Sequence, residues 1–187
     1  VKLKDTSEAT LYDYETVLEQ YYFKNAWTRQ RKALDKKEKE IYTRDCGMKI
    51  DLLNLNWIYR AKKYYHMLPP DIYLMTIPIH YRIKVDEFKA LVEAPTVDQF
   101  MQLLANTYYE NRFHAMQRSE GMEQFYKACI HGMYLSDRRR NPYSLATVNT
   151  YLFLKEEEIN RLTTALECIR YGLTPRETLG YIGGVKK

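Results

Sequence analysis

Apolar residues recur at steps of three and four along most of the chain, the pattern of helices that each bury one face. Leu11, Tyr14, Leu18 and Tyr21 begin such a run, and residues 9–44 read as one long helix or two in series, ending near Asp45-Cys46-Gly47. A second helix is expected over about 48–66. Leu68-Pro69-Pro70-Asp71 then opens a short helix through Ile77, which Pro78 closes. Residues 85–92 and 97–109 form a further pair, the latter entered through Pro95-Thr96 with Thr96 as N-cap, and 120–136 is helical as well. The longest run follows Asn141-Pro142: Leu145, Val148, Leu152, Ile159, Leu162, Leu166 and Ile169, a stripe that only Lys155 breaks. Such spacing makes a helix that lays one apolar seam against partners, in the same chain or another. Past Gly172, read as the C′ residue, Thr174-Pro175-Arg176-Glu177 is a capping box with Pro at N1, opening a last short helix.

All six prolines, Pro69, Pro70, Pro78, Pro95, Pro142 and Pro175, fall between these stretches, so the long runs contain no breaker. An internal repeat is also visible. Glu19-Gln20-Tyr21-Tyr22 returns as Glu123-Gln124-Phe125-Tyr126, a shift of 104 (123 − 19). Leu68, Pro70, Leu74 and Ile77 return as Leu173, Pro175, Leu179 and Ile182, a shift of 105 (173 − 68). The chain therefore reads as all-α, with two homologous helical subdomains, residues 1–110 and 111–187, joined between about 105 and 120.

Composition fits this picture. A chain of 187 residues is one domain or two small ones, with 45% hydrophobic and 28% charged residues, and seven Gly with six Pro are too few for an all-β chain with a turn every ten or so residues. The formal charge of +5 is mildly basic, with signs mixed locally as in Lys36-Lys37-Glu38-Lys39-Glu40, and is below that of a dedicated nucleic-acid binder. Cys46, Cys129 and Cys168 contain no CxxC pair, which argues against a disulfide framework or a zinc site and for a reducing compartment. No run of about 18 apolar residues is present, so a membrane-spanning helix is not expected. The chain begins at Val1, and is expected to be part of something longer or processed.

The sequence carries no recognisable signature of catalytic chemistry. Neither GxxxxGK[ST] nor GxGxxG occurs, and Gly183-Gly184 has no following helix to point at a phosphate, so ATP binding is not expected. His66, His80, His114 and His131 lack metal-ligand spacing; Glu110 and His114 are four apart and read as a solvated pair. No GxSxG elbow occurs, and Cys129 cannot face His131 within one helix, so Cys129 reads as a buried structural cysteine. No catalytic, cofactor-binding or metal-binding residue is assigned, and no cofactor is expected. Arg138-Arg139-Arg140 is the one dense basic cluster, placed before a helix start and read either as a solvated loop or as an electrostatic contact. The 18 tyrosines suit helical cores and protein interfaces alike.

Four segments together carry a family resemblance. Lys49 to Lys62, containing Asp51, Asn54, Arg60 and Lys62, resembles the D-x-x-N-x(5)-R-x-K segment of the C-type subunit of V-type and A-type ATPases (ATP synthases), the relative of the d-type subunit of eukaryotic V-ATPase. Ile77-Pro78, Phe88-Lys89-Ala90-Leu91 and Leu103 to Tyr108 are similar to its middle section. Asn141-Pro142-Tyr143-Ser144-Leu145 through Ile159 resembles its NPLSI…YLxxKExE helix, and Leu173-Thr174-Pro175 through Ile182 its closing helix. The likeness spans about residues 15–182. One departure is that the family continues E-I-x-N-L-R, where this chain has Arg161 at the Asn and Thr163 at the Arg.

The resemblance implies a helical protein of three similar subdomains around a pseudo-threefold axis, shaped like a funnel, of which this chain would be the C-terminal two-thirds. It implies a non-catalytic central-stalk socket between the central-shaft subunits of the ATPase head and the membrane proteolipid ring, transmitting torque for proton or sodium transport. Such a socket lies peripherally on the cytoplasmic face, touching the membrane only through the complex, and nucleic acid is not an expected partner. Within that reading Asp51, Asn54 and Arg60 form a structural polar cluster on one helix, where Asp51 and Asn54, three apart, are placed to cap an adjoining helix end. Arg138, Arg139 and Arg140 are the candidate partner interface. The alternative is a basic helical nucleic-acid-binding module, in which the arginines act with Tyr134 and Tyr143 as stacking platforms.

Overall fold

A computed structural model describes residues 11–111 and 121–182; His114 and Gly183-Gly184 lie outside the described residues. Every regular element among the described residues is helical, as the periodicity predicts. The chain divides into two compact units, Val1–Met133 and Tyr134–Lys187.

The first unit opens with α1 (Leu11–Asn25), which continues through a π-helical turn, Ala26–Gln30, into a last turn, Arg31–Ala33. Helix α2 (Lys36–Tyr64, 29 residues) follows, then α3 (Pro69–Met75), α4 (Val85–Glu93) and α5 (Val97–Leu104). Helix α6 (Met122–Arg140) begins in the first unit and ends in the second. The second unit continues with α7 (Leu145–Arg170, 26 residues) and α8 (Pro175–Tyr181).

Helix α2 corrects the expected break near Gly47. It starts at Lys36 because the Asp35 carboxylate accepts the Glu38 N–H at 2.9 Å, and it runs unbroken through Gly47. The glycine serves close packing: a Cβ there would come within 2.8 Å of Tyr81 Cβ and Cδ2, and would meet the Tyr81 ring. Other starts follow the expected chemistry. Thr96 accepts from the Gln99 N–H at 3.2 Å, and Thr174 and Glu177 form the reciprocal box at α8. Helix α7 ends in a Schellman motif: Gly172 has φ 73, its N–H reaches Ile169 O at 3.0 Å, and Leu173 N–H reaches Cys168 O at 3.0 Å.

The first unit's core surrounds α2. Ile50, Leu52, Leu55, Ile58 and Ala61 have no solvent exposure, Ile72, Ile77, Leu91, Val92, Phe100 and Leu104 are equally enclosed, and Ile50 clusters with Ile77 and Phe23. Each fully buried Leu or Ile contributes about 1.5–3 kcal/mol. In the second unit, α7 buries only Ala146, Thr150 and Cys168. Thr150 Oγ1 donates to Tyr134 O at 2.8 Å and to Ala146 O at 2.6 Å, which ties α7 to the last turns of α6.

Several element ends share one displacement, which is one or two positions larger than the shifts of 104 and 105 read in the sequence. Tyr64 to Arg170, Pro69 to Pro175 and Met75 to Tyr181 are each displaced by 106 (170 − 64, 175 − 69, 181 − 75). Only two described residues have positive φ, His66 (φ 48) and Gly172 (φ 73), and they stand at the same displacement (172 − 66 = 106). A long helix, a left-handed residue and a seven-residue helix thus recur as one unit.

Candidate functional site

Between α3 and α4 the chain runs as an irregular segment, residues 76–84, whose backbone polar groups need partners that a helix would have supplied. Side chains of α1 and α2 supply them. Gln20 Nε2 donates to Leu74 O at 2.6 Å and Thr76 O at 3.2 Å. The Asn54 amide brackets Ile77, its Nδ2 donating to Ile77 O at 2.9 Å while its Oδ1 accepts from Ile77 N at 2.8 Å. Asp51 accepts the N–H groups of Tyr81 at 3.1 Å, Arg82 at 2.7 Å and Ile83 at 3.3 Å, and the Tyr109 hydroxyl at 3.3 Å. Gln20, Asp51 and Asn54 are all buried. Lys62 adds a cap at the end of α4, its ammonium donating to Val92 O at 2.6 Å and Ala94 O at 2.5 Å.

Electrostatics follow from this enclosure. Burial pushes the Asp51 carboxyl above the ordinary carboxylate range, against the downward pull of the hydrogen bonds from Arg82, Tyr81, Ile83 and Tyr109. Burial, then the neighbouring Asp51 charge, pushes the Tyr109 phenol up. Desolvation lowers the Lys62 ammonium and the His80 imidazole, whose ring packs at 4.6 Å on Phe88. These groups pin backbone. Among the described residues, no group of three or more His, Cys, Asp or Glu is arranged to hold a metal ion.

The three residues grouped on α2 do not stay together. Asp51 and Asn54 face the same segment, holding irregular backbone rather than a helix end. Arg60 is exposed and lines a separate cleft of about 450 Å³ with Glu19, Trp57, Tyr65, Met67 and Met75. The reason is helical phase: nine positions at about 100° per residue place Arg60 half a turn away from Asp51. Gln20 and Lys62 were not singled out from sequence for these contacts. Gln20 had a signal in the repeated Glu-Gln pair, and Lys62 in the R-x-K segment.

The second unit presents a different feature. Val148, Leu152, Ile159, Leu162, Leu166 and Ile169 are each 52–66% exposed, so the predicted seam lies along α7 as open apolar surface. The Lys155 break carries an exposed ion pair, Nζ to Glu158 Oε2 at 2.7 Å. Arg138, Arg139 and Arg140 are exposed, and they form the last turn of α6 rather than a loop, where cations complement the helix dipole. Of the two tyrosines beside them, Tyr143 is 96% exposed, whereas the Tyr134 ring packs on Phe153 at 4.9 Å between centroids. Among the described residues, no helix is long and apolar enough to cross a membrane.

Comparison with known proteins adds one match. The ATP synthase (C/AC39) subunit family matches residues 3–181 of this chain. No curated protein and no solved structure matches it.

Proposed function

Because the chain belongs to the ATP synthase (C/AC39) subunit family, we propose that it is a non-catalytic central-stalk component of a V/A-type ATPase. In this reading it is a socket that links the rotor shaft of the soluble head to the membrane proteolipid ring and transmits torque for proton or sodium transport. It associates with the membrane peripherally, through the complex, on the cytoplasmic face. The observation that carries the reading beyond family membership is the apolar seam of α7, exposed along 26 residues of helix capped at both ends. An apolar stripe of this length needs a partner face, and another protein of the same complex supplies one.

Torque transmission needs an element that does not yield under load, and the enclosed polar contacts of the first unit suit that need. Asp51, Asn54 and Gln20 replace soft loop backbone by fixed hydrogen bonds, so they act as structural pins and Arg60 does not. Arg138, Arg139 and Arg140 meet acidic side chains of the shaft or ring, where the guanidinium fork pairs both carboxylate oxygens. The homologous repeats are assigned to residues 1–110 and 111–187.

The test is a binding titration of the chain against purified central-shaft subunits and, separately, the detergent-solubilised proteolipid ring, at several salt concentrations. Saturable binding to one of them, abolished by Leu152→Asp with Leu162→Asp, is expected. Replacing Arg138, Arg139 and Arg140 together by Ala should weaken binding and flatten its salt dependence. Binding to neither by the folded chain would overturn the role.

A further inference from the structure

At the N-terminal end of α2 the first unit holds a second concavity of about 500 Å³, lined by Lys36, Lys39, Thr43, Arg44, Tyr81 and Arg82, with Glu40 its one carboxylate. Its charges are poorly balanced. Arg44 Nε lies 4.0 Å from Asp45 Oδ1, but among the described residues no carboxylate forms an ion pair with Lys36, Lys39 or Arg82. Lys36 and Lys39 also stand in the first turns of α2, where the helix dipole is positive and cations are disfavoured. The mixed run of lysines and glutamates seen in the sequence is therefore resolved by the fold into a concave face with an excess of positive charge.

Arg82 is held ready. Its guanidinium carbon sits 4.9 Å from the Tyr81 ring centroid and 4.8 Å from that of Tyr108, and its backbone N–H is held by Asp51 at 2.7 Å. Tyr81 is itself fixed against Gly47 and meets Trp27 edge-on at 6.3 Å. A stacked guanidinium keeps its in-plane donors for an acceptor and loses little freedom on binding. Such a site favours a planar or tetrahedral oxyanion over a diffuse cloud of counterions.

We propose that this concavity binds a compact phosphorylated ligand, either a soluble phosphorylated compound or the headgroup of a phosphorylated lipid. Four cations, of which Arg44 is already paired with Asp45, stand against Glu40 and leave an excess of two positive charges (4 − 2). A phosphate monoester, at about −2, matches that excess, where a single carboxylate does not. The volume is within the range of small-ligand sites, roughly 300–1,000 Å³. The inference is independent of the rotor reading, since it rests on the first unit's own charges.

Calorimetric titration of the chain with inositol hexakisphosphate at physiological salt tests it, alongside sedimentation with phosphatidylcholine vesicles containing or lacking phosphatidylinositol bisphosphate. One-site saturable binding of the soluble probe is expected. Lys39→Glu should weaken it by about tenfold or more, while Lys37→Glu, the same charge change on the same turn but outside the concavity, should change it by less than about twofold. Arg82→Gln should match Lys39→Glu; if it unfolds the chain, Lys39→Glu, an exposed position, still decides. Vesicle binding displaced by the soluble probe identifies a lipid source, and soluble binding alone identifies a free compound; both support the site. Three results overturn it: no saturation, equal losses in Lys37→Glu and Lys39→Glu, or equal competition by a glutamate-rich peptide of the same charge.

Discussion

Helices α2 and α7 end alike, 106 positions apart (170 − 64), and each is followed by a left-handed residue and a seven-residue helix. They differ in what covers them. Helix α2 buries twelve residues, including Asp45, Asp51 and Asn54; α7 buries three. The displacement that matches the helix ends carries Asp51 and Asn54 onto Glu157 and Asn160 (51 + 106, 54 + 106), a half-buried and an exposed position. Helix α2 becomes core because the chain returns over it as the pinned segment 76–84, and α7 keeps its apolar stripe as surface. Two helices can therefore share their ends and stops, while the following chain decides whether an apolar face is core or contact surface.

The largest expected effect comes from removing the polar pin of the closed copy. Asp51→Ala leaves three backbone N–H groups and the Tyr109 hydroxyl without their acceptor, and should cost about 3–5 kcal/mol in urea unfolding. Glu157→Ala, at the equivalent position of the open copy, should stay within about 0.5 kcal/mol. Equal losses would break the contrast between the copies.

Apolar truncation sharpens the same contrast. Leu55→Ala removes a fully enclosed side chain and should cost about 2–5 kcal/mol, whereas Leu162→Ala, at 59% exposure, should cost less than about 0.5 kcal/mol in the isolated chain. The second substitution should instead weaken binding to shaft or ring subunits. A Leu162→Ala loss as large as that of Leu55→Ala would mean that the seam is already covered.

These pairs also show what the sequence could convey. Caps were legible because they are local: Thr96, Gly172 and the Thr174–Glu177 box each need only three or four neighbouring residues. The seam was legible as a stripe, but periodicity names a face without naming its cover. Gly47 misled because glycine has two uses, ending a helix or admitting a neighbour, and the deciding atom belongs to Tyr81, far along the chain. The Asp51 and Asn54 contacts span 23 to 32 residues to segment 77–83, so a capping role was readable in type and not in target. Arg60 shared their helix and not their face.

A smaller effect concerns pH in the closed copy. Burial holds the Asp51 carboxyl above its unfolded value, so the native chain keeps that proton to higher pH than the unfolded chain does. Its contribution is present below the ordinary carboxylate range and is lost as pH rises through the raised native value. Asp51→Asn cannot titrate. Thermal unfolding followed from acid to neutral pH should therefore show the stability difference moving toward the Asn variant as pH rises through that window. Movement the other way would mean that the four hydrogen bonds outweigh burial, and that the pin is strongest when charged.

The smallest effect tests whether the two copies share a helix stop. His66 carries a side chain at φ 48, where an L-residue is strained by about 1–2 kcal/mol, while the equivalent Gly172 takes φ 73 without that cost. His66→Gly should relieve the strain and offset it against the freer unfolded chain, for a net gain below about 1 kcal/mol. Gly172→Ala should lose about 1 kcal/mol, because nothing lies within 4 Å of its added methyl and the backbone term stands alone. Opposite signs measured by denaturant unfolding would identify one helix-ending device written with two residues. The same sign for both would mean that one of the two stops is held by its tertiary surroundings, so that the repeat extends to helix lengths and not to the chemistry that ends them.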